Sequence, residues 1–286
     1  MKQTVLITGA SSGFGRTTAG VFAANGWNVV ATMRRPDAGG ALAGADGVLV
    51  ARLDVQDPVS IRDAIDAGLA RFGRIDAVIN NAGFGLFGVF ESTPRAKVLE
   101  QFEVNVFGAM DVTRAILPHF RERRAGVLVN VSSGAGVFGL PLMSLYCASK
   151  FALEGFSEAL MYELAPLGVT VKIVEPGGVL STGFVARNAA EAGGVEPPAD
   201  YRDVLSGADA VFGRLRSQRL ATEGHVAGVI YAAATDGTDQ LRYVATDDIQ
   251  PRVKARRETS EPEYMAFMRS LFDVRQPRAS APAESR

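Results

Sequence analysis

The sequence predicts a doubly wound α/β fold built around a parallel sheet of about seven strands. Short apolar runs alternate with amphipathic stretches along most of the 286 residues, and no linker or internal repeat divides them. Several apolar runs lack polar alternation, which is typical of strands covered on both faces, as in a parallel sheet. Strand–helix alternation of this kind implies right-handed crossovers and one α/β unit.

The seven predicted strands are spaced regularly through the chain. They are TVLITG (4–9), NVVATM (28–33), GVLVARLD (47–54), DAVINN (76–81), GVLVNVS (126–132), VTVKIVEP (169–176) and LRYVAT (241–246). Between them, Asp57 followed by Pro58 predicts a helix start, because aspartate caps a helix and proline fits its first turn. Ile61, Ile65 and Leu69 then repeat on one face of that helix.

Composition excludes several classes of function. The chain carries 30 basic and 31 acidic residues, so it has no net charge that would favour nucleic acid or an anionic membrane. Its single cysteine, Cys147, cannot form an internal disulfide. No run reaches the ~18 apolar residues of a membrane span, and no apolar leader precedes the first strand. We therefore expect a cytoplasmic protein.

A glycine-rich loop joins the first predicted strand to the first helix. In TGASSGFG (8–15), Gly9, Gly13 and Gly15 let the backbone turn tightly and approach a ligand closely. The helix that follows directs free N–H groups and a positive dipole end at an anion. Glycines also form plain turns, but their place between strand and helix predicts a dinucleotide site.

A tyrosine and a lysine lie four positions apart in SLYCASK (144–150). On an α-helix, Tyr146 and Lys150 would share one face. The ammonium is then expected to lower the pKa of the phenol, so that Tyr146 can transfer protons near neutral pH. The small residues Cys147, Ala148 and Ser149 leave room beside the helix, and we interpret Cys147 as a space-filler rather than a reactive thiol.

Four motifs in this order resemble the short-chain dehydrogenase/reductase family over residues 3–250: TGASSGFG, NNAG (80–83), YCASK (146–150) and PGG (176–178). The resemblance implies a Rossmann-type sheet and hydride transfer between a nicotinamide dinucleotide and a carbonyl or secondary alcohol. It also implies a homodimer or homotetramer. Residues 1–250 would form the dinucleotide-binding and catalytic domain, and 251–286 a C-terminal extension with a disordered tail. The polar stretch near 182–220 interrupts the sheet pattern and is expected to be a lid insertion.

The resemblance implies a catalytic quartet. Tyr146 and Lys150 would be joined by Ser133, thirteen residues upstream of the tyrosine, with Ser132 as the near alternative. Ser133 would hold the substrate oxygen and stabilise its developing charge. Asn105 would be the fourth member, its amide holding a water that links Lys150 to solvent; it could also merely support a local kink.

The resemblance further implies a set of cofactor contacts. They are Gly9, Ser11, Ser12, Gly13, Phe14, Gly15, Arg34, Asp54, Val55, Asn81, Ala82, Gly83, Tyr146, Lys150, Pro176, Gly177, Val179 and Thr182. Ser181 competes with Thr182 for the nicotinamide side, and Asn80 is expected to steady the central sheet.

The end of the second strand predicts NADP(H) rather than NAD(H). Where NAD-preferring relatives place an acid for the ribose hydroxyls, this chain has Met33, followed by Arg34 and Arg35. A guanidinium can bind a 2′-phosphate through two parallel hydrogen bonds. The alternative is that both arginines are solvated and NAD is bound; Asp37 lies close enough to complicate the alignment.

The predicted substrate is an apolar ketone or aldehyde. The candidate wall residues carry no charge, although a buried core would contain the same types; they are Phe138, Leu140, Leu142, Phe184, Tyr201 and Phe212. Rival functions are an NAD-dependent alcohol dehydrogenase of the same family, a sugar-nucleotide epimerase, and a non-catalytic NADP(H)-sensing protein. His119 and His225 lie far apart in the sequence, and no cluster has metal-ligand spacing, so no catalytic metal is predicted.

Overall fold

The computed structural model describes residues 2–179, 196–216 and 221–273. Its strands are β1 (Thr4–Ile7), β2 (Asn28–Met33), β3 (Val48–Arg52), β4 (Ala77–Asn80), β5 (Gly126–Val131), β6 (Val169–Glu175) and β7 (Arg242–Val244). They form one seven-stranded sheet in the order β3-β2-β1-β4-β5-β6-β7, and all pairs are parallel. The predicted doubly wound sheet is thus confirmed; most strands are shorter than predicted because the predicted ranges include flanking turn residues.

Helices cover both faces of this sheet. In the described ranges they are α1 (Gly13–Ala24), α2 (Pro58–Phe72), α3 (Arg95–Phe102), α4 (Gly108–Arg123), α5 (Ser144–Leu164), α6 (Arg202–Arg216), α7 (Glu223–Thr235), α8 (Gln250–Glu258) and α9 (Glu261–Phe272). A π-helical turn, Glu103–Phe107, joins α3 to α4. Helix α2 begins as predicted, since the Asp57 carboxylate accepts hydrogen bonds from the Val59 and Ser60 amides at 3.0 and 3.3 Å.

Two apolar cores lie on opposite sides of the sheet. Val5 and Ile7 of β1 pack into one core with Phe22 of α1, whereas Leu6 packs into the other with Ile116 of α4. Successive strand side chains point to opposite faces, so a strand between two helical layers is buried on both faces and is largely apolar. All four residues of β1 and of β4 are buried for this reason.

Strand β1 lies between β2 and β4, so the chain leaves β1 in one direction and later resumes on its other side. At such a switch point the connections diverge and open a crevice beyond the carboxyl ends of the strands. The topology therefore places the glycine-rich loop after β1 and the segment after β4 beside each other.

The C-terminal extension builds part of the same end of the molecule. Ile249 and Val253, at the start of α8, pack with Phe138, and Tyr264 and Met268 of α9 complete the cluster. Of the predicted lid region, the structure describes Ala199–Tyr201 as a 3₁₀ turn and α6. The predicted disordered tail lies outside the described residues.

Candidate active site

A cavity of about 520 Å³ lies beyond the carboxyl ends of the central strands. Its lining includes sixteen of the eighteen predicted cofactor contacts: Gly9, Ser11, Ser12, Gly13, Phe14, Arg34, Asp54, Val55, Asn81, Ala82, Gly83, Tyr146, Lys150, Pro176, Gly177 and Val179. Ser133 lines it too. Gly15 does not, and Thr182 lies outside the described residues together with Ser181 and Phe184. Residues predicted from separate motifs therefore meet around one space.

The glycine-rich loop needs its glycines for two different reasons. Gly9 and Gly13 have φ values of 68° and 54°, a region that side chains disfavour. Gly15 is required by packing, because a Cβ there would lie 2.3 Å from the Gly9 oxygen. Gly15 thus allows α1 to approach the loop instead of lining the cavity itself.

Thr8 ties the loop to the segment after β4. Its hydroxyl oxygen accepts hydrogen bonds from the Asn81 and Ala82 amides, both at 3.0 Å, and the Asn81 side chain donates to the Thr8 oxygen at 2.9 Å. Asn80, by contrast, is buried and donates to Thr113 and Asn130 at 3.2 and 2.9 Å. Asn80 supports the sheet, while 81–83 form one wall of the cavity.

The end of β2 supplies a cation to the same cavity. Arg34 is exposed and lines the cavity, while neither Arg35 nor Asp37 does. Asp54 lines it after β3, and its carboxylate accepts from the Gln56 amide at 3.1 Å. Arg16, which the sequence analysis did not select, lies at this corner and donates to the Ala38 oxygen at 3.3 Å.

Tyr146, Ser133 and Lys150 meet at the other end of the cavity. Tyr146 and Ser133 line the cavity together, and the Ser133 hydroxyl accepts a hydrogen bond from the Ala135 amide at 3.1 Å. Lys150 Nζ donates to the Val131 oxygen at 2.9 Å and lies 5.8 Å from the centroid of the Tyr146 ring. The i, i+4 spacing on α5 produces this proximity, and β5 brings the serine to it.

The pKa of Tyr146 is not lowered as predicted. Burial raises the pKa of the phenol to about 12, although the hydrogen bond with Ser133 acts in the opposite direction. Burial also lowers the pKa of Lys150 to about 8, and this ammonium is engaged by the Val131 oxygen. The prediction was wrong because burial removes hydration from the phenolate, and this effect exceeds the opposing effect of Ser133.

Asn105 is buried and lies in the π-helical turn. Its Nδ2 donates to the Phe84 oxygen at 2.8 Å and to Ser149 Oγ at 3.1 Å, while its Oδ1 accepts from the Phe84 amide at 3.0 Å. Both side-chain N–H groups are thus used by protein, while Oδ1 keeps a second lone pair, so the water link to Lys150 stays a prediction. Asn105 is absent from the cavity lining and braces the segment after β4 against α5.

The loop after β6 is held by residues that the sequence analysis missed. Thr246 Oγ1 accepts from the Gly177 amide at 2.9 Å, and Asp248 Oδ2 accepts from the Gly178 amide at 3.0 Å. Arg252, on α8, lines the cavity with its guanidinium 5.4 Å from the Phe138 ring centroid. These residues follow the last strand and form no recognisable motif, so only the fold brings them to the site.

The substrate end of the cavity is mainly apolar. Phe138, Leu140 and Phe212 line it as predicted, and Phe87 and Met143 join them. Phe87 and Phe212 pack edge to face with centroids 5.4 Å apart. Two predictions were wrong here: Leu142 and Tyr201 do not line the cavity, and the Tyr201 hydroxyl instead donates to Glu91 at 3.0 Å.

The described residues contain neither a cluster of metal ligands nor a helix that could span a membrane. Within them, no group of three or more histidine, cysteine, aspartate or glutamate side chains is arranged to hold a metal ion. Over the same ranges, no helix has the length and apolarity needed to cross a membrane. His119, one of the two histidines, lies away from the cavity with Nε2 3.1 Å from the Ile75 oxygen.

Two relatives are similar to this chain in sequence. A 3-ketodihydrosphingosine reductase of Bacteroides thetaiotaomicron is 41% identical over 202 residues, which cover 70% of this chain and 72% of that protein. Retinol dehydrogenase 8 of Bos taurus is 37% identical over 213 residues, covering 71% of this chain and 67% of that one.

Solved structures share the fold. A short-chain dehydrogenase from Streptomyces avermitilis matches with a TM-score of 0.79 and 33% identity, over 94% of this chain and 97% of that one. A short-chain dehydrogenase/reductase from Burkholderia phymatum in complex with NAD gives 0.77 and 27%, over 90% and 93%. ElxO with NADP bound gives 0.70 and 25%, over 85% and 96%.

The short chain dehydrogenase family profile matches residues 3–192, which contain the glycine-rich loop, Ser133, Tyr146 and Lys150. Together with the sheet order and the cavity, this match assigns the chain to an oxidoreductase family. The protein is a member of the short-chain dehydrogenase/reductase family.

Proposed function

We propose that this protein is an NADP(H)-dependent oxidoreductase that interconverts an apolar ketone or aldehyde and its alcohol. The observation that carries the proposal is that Ser133, Tyr146 and Lys150 line the same cavity as the glycine-rich loop, with Lys150 Nζ 5.8 Å from the Tyr146 ring centroid. This arrangement places two hydroxyl donors where a carbonyl oxygen can be held.

The cavity fits a dinucleotide. Gly9 lies against the wall formed by 81–83, since a Cβ there would lie 3.0 Å from Ala82 Cα, so glycine lets the loop pass close to this wall. Ser11, Ser12 and Gly13 would hold the phosphates at the start of α1. Asp54, Val55 and 81–83 would border the adenosine. When bound, the nicotinamide supplies or accepts the hydride.

The protein's own groups manage the proton and the oxygen. With its pKa raised to about 12, Tyr146 keeps its proton at neutral pH and can donate it to the oxygen of a reduced carbonyl. Ser133 would hold that oxygen as charge develops on it. Lys150, fixed by Val131, would stabilise the phenolate left behind.

Arg34 supports a preference for NADP(H). The residue before it, Met33, is buried and uncharged, so no carboxylate there repels a 2′-phosphate. An exposed guanidinium at the cavity edge can bind that phosphate bidentately. ElxO is a relative with NADP bound, whereas the Burkholderia phymatum relative holds NAD. The alternative is an NAD-dependent alcohol dehydrogenase with the same catalytic groups.

The apolar wall of the cavity beside Tyr146 supports an apolar substrate. Met143, Leu140, Phe87 and Phe212 pack beside the phenol in one cluster. Such a wall gains free energy by covering hydrocarbon at roughly 25 cal/mol per Å². The relatives named as a 3-ketodihydrosphingosine reductase and a retinol dehydrogenase agree with a lipid-like carbonyl or alcohol.

We propose further that residues 1–250 form the catalytic unit, that 251–286 form a C-terminal extension whose described part, 251–273, covers the substrate end, and that the protein is a cytoplasmic homodimer or homotetramer. Exposed apolar side chains on α3, the π turn and α5 support self-association. They are Leu99, Phe107 and Phe151, which are 48%, 47% and 42% exposed.

The function is tested by cofactor consumption. Purified protein is assayed with NADPH and NADH against a panel of carbonyls that pairs long apolar ketones with small acidic ones. We expect NADPH oxidation with the apolar members. Turnover confined to small acidic carbonyls would contradict the substrate class, and NADPH binding without any turnover would favour the non-catalytic sensing protein.

A further inference from the structure

A buried carboxylate lies one helical turn beyond Lys150. Glu154 occupies the i+4 position on α5, and its side chain is only 8% exposed. Arg242 of β7 donates from Nε to Glu154 Oε2 at 3.0 Å, and its Nη2 bonds Glu158 at the surface. A buried carboxylate needs such a partner to remain charged.

More charges lie behind this pair. Glu175 of β6 is fully buried, with Oε1 3.6 Å from Arg242 Nε and hydrogen-bonded to Arg257 of α8. Glu154, Glu158 and Glu175 thus face two guanidiniums, which leaves one negative charge in excess. Lys150 lies one helical turn from Glu154 on the same helix, α5.

We propose that Glu154 is a positioning residue for catalysis: its carboxylate, held by Arg242, keeps Lys150 in the charged ammonium form inside the buried site. The inference rests on the proposed function, because the charge matters only if Lys150 stabilises the Tyr146 phenolate. Glu154 does not line the cavity, so it acts through Lys150 and not on the substrate.

Electrostatics gives the direction of the effect. Burial lowers the pKa of Lys150 to about 8, and the charge of Glu154 acts against this lowering. Burial and the charge of Glu175 raise the pKa of Glu154 to about 7, while Ser132 and Arg242 act in the opposite direction. Besides these groups and Arg257, the titratable neighbours on Lys150's own helix are Tyr146 and Cys147. Loss of the Glu154 charge should therefore release the Lys150 proton at lower pH.

The first experiment compares Glu154→Gln with Glu158→Gln, which removes the other carboxylate bonded to Arg242. We expect the alkaline limb of the kcat/KM profile to move about one pH unit lower in Glu154→Gln. Glu158→Gln, 48% exposed in the wild type, should leave the limb in place, and Glu154→Asp should restore most of it. An unchanged limb in Glu154→Gln would overturn the inference.

The second experiment does not depend on turnover. Trace acetylation with acetic anhydride across a pH series, followed by peptide mass spectrometry, reports the titration midpoint of Lys150, with Lys254 as an exposed internal standard. The Lys150 midpoint should be lower in Glu154→Gln than in wild type, and equal midpoints would refute the role of Glu154. Wild-type protein without carbonyl turnover would refute the proposed function but leave this comparison valid. Glu154→Met replaces Glu154→Gln should the latter fold poorly.

Discussion

Lys150 Nζ lies 5.8 Å from the centre of the Tyr146 ring while donating a hydrogen bond to the Val131 oxygen at the end of β5. The ammonium is therefore fixed by the sheet and presented to the phenol by the helix. Because both side chains are buried, the pKa of Tyr146 is raised to about 12 and that of Lys150 is lowered to about 8. The pair thus combines a phenol that retains its proton with a cation that can offset the charge created when the proton leaves.

Tyr146→Phe should lower turnover at least ~100-fold, since it removes the proposed general acid. NADPH affinity should change little, because the glycine-rich loop and Arg34 remain. Stopped-flow turnover and fluorescence titration measure the two quantities separately. Tyr162→Phe, on the same helix but 69% exposed, is the control. Equal activity in the two variants would exclude Tyr146 from the mechanism.

Arg34→Asp should weaken NADPH binding at least ~10-fold and NADH binding far less, because a charge-assisted contact to the 2′-phosphate is replaced by repulsion. Titration calorimetry with both cofactors provides the measurement. Arg35→Asp makes the same change in charge one residue further on, outside the cavity lining, and should have a smaller effect. A similar loss for both cofactors would argue against a 2′-phosphate contact.

Gly15→Ala should destabilise the protein by about 1–3 kcal/mol, because its Cβ would meet the Gly9 oxygen at 2.3 Å and force the loop to move. Gly20→Ala lies on the same helix with nothing within 4 Å of the added carbon, and should stabilise it by up to about 1 kcal/mol. Urea unfolding gives both values. The proposed packing role requires the two signs to differ.

Phe212→Ala should raise KM for a long apolar ketone about 10-fold or more, the effect of exposing one aromatic side chain's contact area. The ring packs against Phe87 in the cavity wall. The ratio of the variant's KM to the wild-type KM should therefore grow with substrate chain length. Steady-state kinetics over a homologous series tests this. KM values independent of chain length would place the substrate elsewhere.

Glu154 should make stability depend on pH in a defined direction. Its pKa is about 7 in the folded protein against the ordinary glutamate pKa of 4.5, so the folded state binds more protons between these values. The resulting stabilisation is complete below pH 4.5 and is lost as the pH rises through 7. Relative to Glu154→Gln, the wild type should thus be more stable at pH 5 than at pH 8, by about 2 kcal/mol. Denaturant unfolding at the two pH values checks the sign.

Much of the fold follows from local patterns. All seven strands could be predicted because a strand between two helical layers is largely apolar. In β1 and β4 all four residues are buried. Tyr146 and Lys150 were predictable for a similar reason, since the helical period alone places residues i and i+4 on one face. The cofactor cradle could be located because glycine, strand and helix are adjacent in the chain.

What the sequence by itself determined was the class of fold, the order of the strands' appearance and the residues joined by short spacing. Only the tertiary structure decided the sign of the pKa shift at Tyr146 and the hydrogen-bond partners of the Asn105 side chain. It also decided that Asp248, Arg252 and Arg242 lie at or near the site. The physical reason is that pKa values depend on loss of hydration, which the whole surrounding fold creates. Likewise, contacts between residues about 70 to 90 positions apart, such as Gly178 with Asp248 and Glu154 with Arg242, depend on packing that no local spacing encodes.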